Sequence, residues 1–377
     1  MIDTKKEQEF GVLVAVAPKS QPDAKTQEYL DELEFLVQTL AIKVEKTYTQ
    51  KLEHPDKRTF VGKGKLAEIV EYVKAKHIKN VIFDDDLSPS QLRNLEKELK
   101  VKVYDRSLLI LDIFLKRAKT NQAKTQVELA RYQYLLPRLT RMWTHLERQR
   151  GGTATRGGAG EKEIETDRRN IRNQINVLRK KLDKIEVQAT TRRKSRDGIV
   201  RVAFVGYTNA GKSTLMNLLS KEKVYAKDEL FATVDSTVRK VVINQLPFLL
   251  SDTVGFIRKL PHNLIESFKS TLEEVKEADI LLHVIDASNP SYEDHIHVVE
   301  QTLEEIGTAD IRRINIYNKV DKIEDLESFD TPHNGQNSIF VSAINKFHFN
   351  ELKDLIIKEV EKEHLKIYPN YLAPESY

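Results

Sequence analysis

The sequence predicts an α/β protein of two α/β domains, the first with a mainly parallel sheet and the second doubly wound, joined by a long antiparallel helical hairpin. Three observations lead there. Strand and helix patterns alternate over residues 1–115 and again over 198–362. Between them, over 116–197, strand signals vanish and an apolar heptad takes their place. Hydrophobic residues make up 40% of the 377 positions and charged residues 31%, enough apolar material for packed cores.

In the first domain, GVLVAVAP (11–18) reads as a buried strand that ends at Pro18. The run 29–43 places Leu33, Leu36, Val37 and Leu40 at helical spacing, and 65–76 is a second amphipathic helix. A strand follows at 80–86, and Ser88-Pro89 opens a third helix with Ser88 as N-cap. The short strand VKVYDR closes the domain. Strands separated by helices imply a mainly parallel sheet.

In the middle segment, Ile164, Ile171, Ile175, Leu178, Leu182 and Ile185 form a seam at steps of seven, four and three. Val127, Ala130 and Tyr134, then Leu139, Trp143 and Leu146, supply the opposing arm, with a break at Pro137. Five glycines within 151–160 exclude a helix there, so 148–162 is the tip loop. From 198 the alternation returns through VRVAFVG, KSTLMNLLS, RKVVIN, FLLSDT, ADILLHVID, RRINIYN and SIFVSA to a closing helix. Residues 363–377, with two prolines, read as an extended C-terminal extension.

The formal net charge of +4 conceals a strong asymmetry. Residues 116–201 hold 23 Lys/Arg against 9 Asp/Glu, while the remainder is net acidic. Charge alone leaves a polyanion contact and a solvated helical surface equally open. The absence of cysteine excludes disulfides, iron–sulfur clusters and thiolate zinc sites. No apolar run approaches the roughly 18–20 residues of a membrane span, and MIDTKKEQEF lacks the apolar core of a signal peptide. The expectation is a cytoplasmic, monomeric chain without an integral membrane segment.

The chemistry is carried by GYTNAGKST at 206–214, a match to G-x-x-x-x-G-K-[ST] between a strand and a helix. Gly206 and Gly211 permit tight turns. The main chain of Tyr207, Thr208, Asn209, Ala210 and Thr214 would wrap phosphates at a helix N-terminus. Lys212 would neutralise β- and γ-phosphate oxygens, and Ser213 would ligate Mg²⁺. Asp252-Thr253-Val254-Gly255 gives D-x-x-G, with Asp252 holding Mg²⁺ through water and Gly255 free to approach a γ-phosphate.

In NKVD (318–321), Asp321 accepts two hydrogen bonds from guanine, Asn318 ties the loops together and the Lys319 stem covers the base. Ser342 and Ala343 add a further base-side loop. Four such motifs in order, each at a strand end, identify a guanine-nucleotide, P-loop GTPase domain. Thr233 and Thr237 are the two candidates for the switch threonine that completes the Mg²⁺ site, Thr233 favoured by its distance from the phosphate loop, in a segment that includes Phe231 and Ala232. Phe256 stands where many switch GTPases place a water-orienting glutamine, so slow intrinsic hydrolysis is expected. Asn209 matches the asparagine with which potassium-activated GTPases hold K⁺ beside the phosphates, and a loop-stabilising asparagine is the equal alternative.

Other signals are discounted. VGKGK (61–65) reads as a helix start rather than a second nucleotide site. His283, His295 and His297 lack ligand spacing, with His283 a core residue, and Trp143 fits packing.

Together these residues resemble the HflX family of translational GTPases. VIFDDDLSPSQLRNLE, YDRSLLILDIF, QVELARYQYLLPRL, RGGTATRGGAGEKEIETDRR and DTVGFIRKLPHNLIESFKSTLEE carry the resemblance across nearly the whole chain. It implies binding to the large ribosomal subunit, with the tip residues Arg148, Arg150, Gly151, Gly152, Arg156, Gly157 and Gly158 on rRNA. It further implies splitting of stalled or idle ribosomes under stress, and ATP at the N-terminal domain in some members. The tip departs from the family pattern at Ala154, Gly158 and Ala159. A ribosome-assembly or RNA-processing GTPase, and a nucleotide-gated RNA-binding module, remain rival readings.

Overall fold

The computed structural model describes residues 8–139, 159–194, 198–220, 231, 235, 237–259, 269–325, 329 and 337–370. They fall into two compact units, one holding 8–116, 124–139 and 159–183 and the other holding 117–123 and the described residues from 184 onward.

The first unit contains β1 (Glu9–Ala17), α1 (Asp23–Thr39), β2 (Ile42–Lys51), α2 (Lys63–Ala75), β3 (Asn80–Phe83), α3 (Pro89–Leu99) and β4 (Lys102–Tyr104). Its four strands are parallel, in the order β2-β1-β3-β4, with Leu13 paired to Ile82. Val12, Val14, Ile69, Phe83, Leu92 and Val103 meet in its core. Ser88 caps α3 as expected. Its hydroxyl accepts from the Gln91 amide at 3.2 Å while the Gln91 side chain accepts from the Ser88 amide at 3.0 Å.

Two sequence expectations are corrected here. The helix expected to reach Lys43 stops at Thr39, and Ala41 turns the chain at φ 65° into β2, a strand the apolar pattern does not announce. Most of β2 is exposed at the sheet edge, so it carries little hydrophobic signal.

The helices α4 (Arg106–Arg117) and α5 (Asn121–Leu135) follow, and a 3₁₀ turn at Leu136–Arg138 ends α5 at the expected break. One long helix, α6, spans Ala159–Lys194, so residues 159–162 of the expected tip loop 148–162 are helical and the helix begins before Gly160 rather than after it. Ile175 and Leu178 of the heptad seam are buried against Leu129, with Tyr132, Leu136, Ile171 and Leu182 around them. The seam partners are thus Leu129, Tyr132 and Leu136, not the expected Val127, Ala130 and Tyr134. Tyr134 instead donates its hydroxyl to buried Asp105 at 2.7 Å, and Arg138 reaches the same carboxylate at 3.4 Å. Burial raises the Asp105 carboxyl above its ordinary value, while a bond from the Leu108 amide opposes that rise. Arg106, fully buried, pairs with Asp84 at 2.7 Å and with Glu32. Trp143 and Leu146 lie outside the described residues.

The second unit is built on β5 (Val200–Gly206), β6 (Thr237–Ile243), β7 (Leu246–Asp252), β8 (Ile280–Asp286), β9 (Arg312–Asn318) and β10 (Ser338–Phe340). Their order is β10-β9-β8-β5-β7-β6, and only β6 runs antiparallel. The helices α7 (Lys212–Ser220), α8 (Lys269–Lys276), α9 (Tyr292–Glu305) and α10 (Phe349–Ile367) belong to this unit. Because β5, β7, β8, β9 and β10 are parallel, their C-terminal ends share one edge, where open α/β sheets bind ligands. Val202, Phe204, Leu250, Leu282 and Ile316 fill the core beneath that edge. The helix α10 runs through Ile367, so the expected extended tail is helical for its first residues. Among the described residues no helix is long and apolar enough to cross a membrane.

Candidate nucleotide site

Each nucleotide motif lies at the C-terminal edge of this second sheet. Gly206 ends β5 with φ 147°, and a Cβ there would come within 2.2 Å of the Val284 carbonyl oxygen. Gly211 has φ 105°, and a Cβ would meet Asn318 Nδ2 at 2.1 Å. Only glycine fits either place. Asn209, between them, has φ 60°, a left-handed conformation that asparagine tolerates better than most residues.

Lys212 is buried and opens α7. Its Nζ donates to the Gly206 carbonyl at 3.0 Å and to the Tyr207 carbonyl at 2.8 Å. Burial pulls its ammonium down to about 8, and the Asp252 carboxylate opposes that fall. A cation so placed gains most from an anionic ligand at the loop. Ser213 Oγ donates to Asp252 Oδ2 at 2.7 Å, so the two expected Mg²⁺ groups are in contact. Thr253 is fully buried and donates to the Phe204 carbonyl at 2.6 Å, which fixes the D-x-x-G segment to β5. Thr214 is half-buried in the first turn of α7.

The base-side loops are joined by Asn318. Its Nδ2 donates to the Ala210 carbonyl at 2.9 Å and its Oδ1 accepts from the Ala343 amide at 3.0 Å, so one side chain couples three loops. Ser342 Oγ donates to Asp321 Oδ1 at 2.5 Å, orienting the carboxylate, and itself accepts from the Asn345 amide. Lys319 pairs with Asp286 at 2.6 Å, a partner at the end of β8 that the motifs do not name. A strand closing on an acid, ILLHVID, was the available signal.

Of the switch residues, Phe231 is buried and its amide donates to Thr208 Oγ1 at 3.1 Å. Thr237 begins β6 opposite Asp252. Ala232 and Thr233 lie outside the described residues, as do Arg148, Arg150, Gly151, Gly152, Arg156, Gly157 and Gly158. Val254, Gly255 and Phe256 are buried, and the Phe256 main chain bridges to Tyr207 in parallel. Sequence reasoning missed the Asp235 carboxylate, which accepts from the Lys119 amide at 2.9 Å and from Thr120. It also missed His295, stacked on Tyr207. His283 is a buried strand residue, as expected.

Three family models match successive stretches of the chain. Residues 27–115 match the family model of the GTP-binding GTPase N-terminal region, and 117–196 match that of the GTP-binding GTPase middle region. Residues 201–319 match the model described as 50S ribosome-binding GTPase. The GTPase HflX of Flavobacterium psychrophilum is 48% identical over an alignment covering 97% of this chain and 94% of that one. The chain belongs to the HflX family. The Escherichia coli GTPase HflX is 46% identical, over 80% of this chain and 72% of its own. Among solved structures, SsGBP in complex with GDP superposes with a TM-score of 0.52 at 25% identity, covering 95% of this chain and all of that one. This HflX-family chain is a GTP hydrolase.

Proposed function

We propose that the chain is a cytoplasmic factor that binds the large ribosomal subunit, splits stalled or idle ribosomes under stress, and hydrolyses GTP to GDP for release. The observation that carries this reading is the match of residues 201–319 to a model of 50S ribosome-binding GTPases, in a chain whose expected phosphate and base loops are joined by Asn318. The strongly basic stretch 116–201 supports rRNA as the partner. Packing of α5 on α6 through Leu129, Ile175 and Leu178 supports a helical hairpin over 116–197, with its tip before Ala159.

Asp321 would read guanine, Lys319 would cover the base, and Lys212 with the loop amides would hold the phosphates. Ser213 and Asp252 suit Mg²⁺, a hard cation that takes oxygen ligands and keeps waters and substrate phosphates in its shell. Thr233 would complete that set. When bound, Mg²⁺ neutralises charge developing on the phosphate oxygens. Phe256 offers no group to orient water, so intrinsic turnover is slow and the ribosome supplies or orders what is missing. GTP orders the segments around Thr233 and Asp252–Phe256 and favours the bound state, and hydrolysis releases it.

Replacing Arg148, Arg150 and Arg156 together with alanine should weaken binding to large subunits and lower its salt slope by about 2–3, one phosphate contact per arginine. GDP affinity should not change. A variant that binds ribosomes with the parent's salt dependence removes the tip from the interface. The φ of 60° accounts for Asn209 by backbone need alone, so K⁺ is decided by rate. Faster GTP turnover in KCl than in NaCl at equal ionic strength supports bound K⁺, and equal rates dismiss it.

A further inference from the structure

Tyr207 occupies a position that G-x-x-x-x-G-K-S leaves open, yet it is 6% exposed and held from several sides. Its main chain faces Phe256 in a parallel bridge. The Thr208 amide donates to the Phe256 carbonyl at 2.7 Å, and the Phe256 amide donates to the Gly206 carbonyl at 3.1 Å. Any residue at 207 could support those two bonds. The phenol adds a third that depends on its identity: Tyr207 Oη accepts from the Arg258 amide at 2.9 Å, two residues farther along the switch segment. The ring is itself fixed by His295, in the first turn of α9, stacked at 3.7 Å between centroids and 8° between planes.

The segment held in this way is the one that must meet the γ-phosphate. A Cβ on Gly255 would lie 2.8 Å from Thr208 Cα and 3.0 Å from Lys212 Nζ. The Gly255 main chain is therefore packed against the two residues that flank the phosphates, with no slack between them. A hydrocarbon at position 256 cannot orient the attacking water through its side chain. The placement of the 254–258 main chain then carries a larger share of the alignment, and reaction rates respond steeply to sub-ångström misplacement.

We infer that Tyr207 is a positioning residue for GTP hydrolysis: its hydroxyl, aimed by the His295 stack, pins the segment 254–258 against the phosphate loop. The inference rests on the reading of this site as the GTP site. It assigns to Tyr207 a role in rate, acting through main chain, and assigns it none in base or phosphate affinity.

The test uses the full chain and four measurements on each variant: single-turnover hydrolysis at saturating protein, KM for GTP, Kd for GDP and melting temperature. Tyr207→Phe keeps the ring and its stack and deletes only the hydroxyl. Its hydrolysis rate should fall about tenfold, with KM and GDP affinity within twofold of the parent. His295→Ala should lower the rate similarly, and His295→Phe, which keeps a ring for stacking, should restore most of it. A Tyr207→Phe rate within twofold of the parent overturns the inference. So does a rate that falls only together with GDP affinity, since that marks a structural role in the loop. Failure of the parent chain to bind GDP is read first in the same series; it refutes the site assignment itself and takes this inference with it.

Discussion

Asp321→Asn exchanges the base that the site accepts. The carboxylate, oriented by the Ser342 hydroxyl at 2.5 Å, would accept the guanine ring N–H and exocyclic amine. An asparagine presents one acceptor and one amide donor. Its oxygen still accepts from the ring N–H, but its NH₂ then opposes the guanine amine. Xanthine carries a carbonyl in place of that amine and restores the pair. Asp321 is exposed in the structure, so the cost arises where the bound base covers it. Two donors left face to face there cost about 3–5 kcal/mol, or roughly 10²–10⁴ in relative affinity. Competition between GTP and xanthosine triphosphate for the variant checks this, and unchanged preference for GTP contradicts the assignment of Asp321.

Gly211→Ala is the second large effect. With φ at 105° and Asn318 Nδ2 only 2.1 Å from the added Cβ, either the loop or Asn318 must move. Moving Asn318 breaks its 2.9 Å bond to the Ala210 carbonyl and loosens its bond from the Ala343 amide, so the phosphate and base loops fail together. GDP binding should weaken at least about 100-fold, which is about 2.7 kcal/mol. Gly64→Ala provides the contrast, because a Cβ there meets nothing within 4 Å and nucleotide binding should be untouched. Equal behaviour of the two variants in a GDP titration would sink this account of the loop.

What the sequence made legible follows from what the chemistry constrains. Phosphate and guanine recognition demand fixed residue types at strand ends, so Gly206, Lys212, Asp252, Asn318 and Asp321 could be placed before any fold was known. The coupling of loops by Asn318 was foreseen, but its partner Ala343 could be located only as part of a loop. Contacts without a fixed spacing stayed hidden. Nothing in the sequence joins Tyr207 to His295, Lys319 to Asp286, or Asp235 to the start of α5, because each depends on which helix or strand end the fold brings alongside.

The misread elements have equally physical reasons. On α5 two apolar stripes run at helical spacing, Val127-Ala130-Tyr134 and Leu129-Tyr132-Leu136, and periodicity does not say which one faces α6. A polar hydroxyl decides it: Tyr134 finds buried Asp105, and the other stripe takes the heptad seam. Edge strand β2 escaped for a related reason. Only Ile42 and Tyr48 among its ten residues are buried, so no apolar run marks it.

If the nucleotide site reports to the ribosome, as proposed, one rate shows it. GTP hydrolysis by the full chain should rise at least about tenfold with intact large ribosomal subunits and show little change with small subunits or protein-free rRNA. A rate indifferent to large subunits, or raised equally by naked RNA, would contradict it.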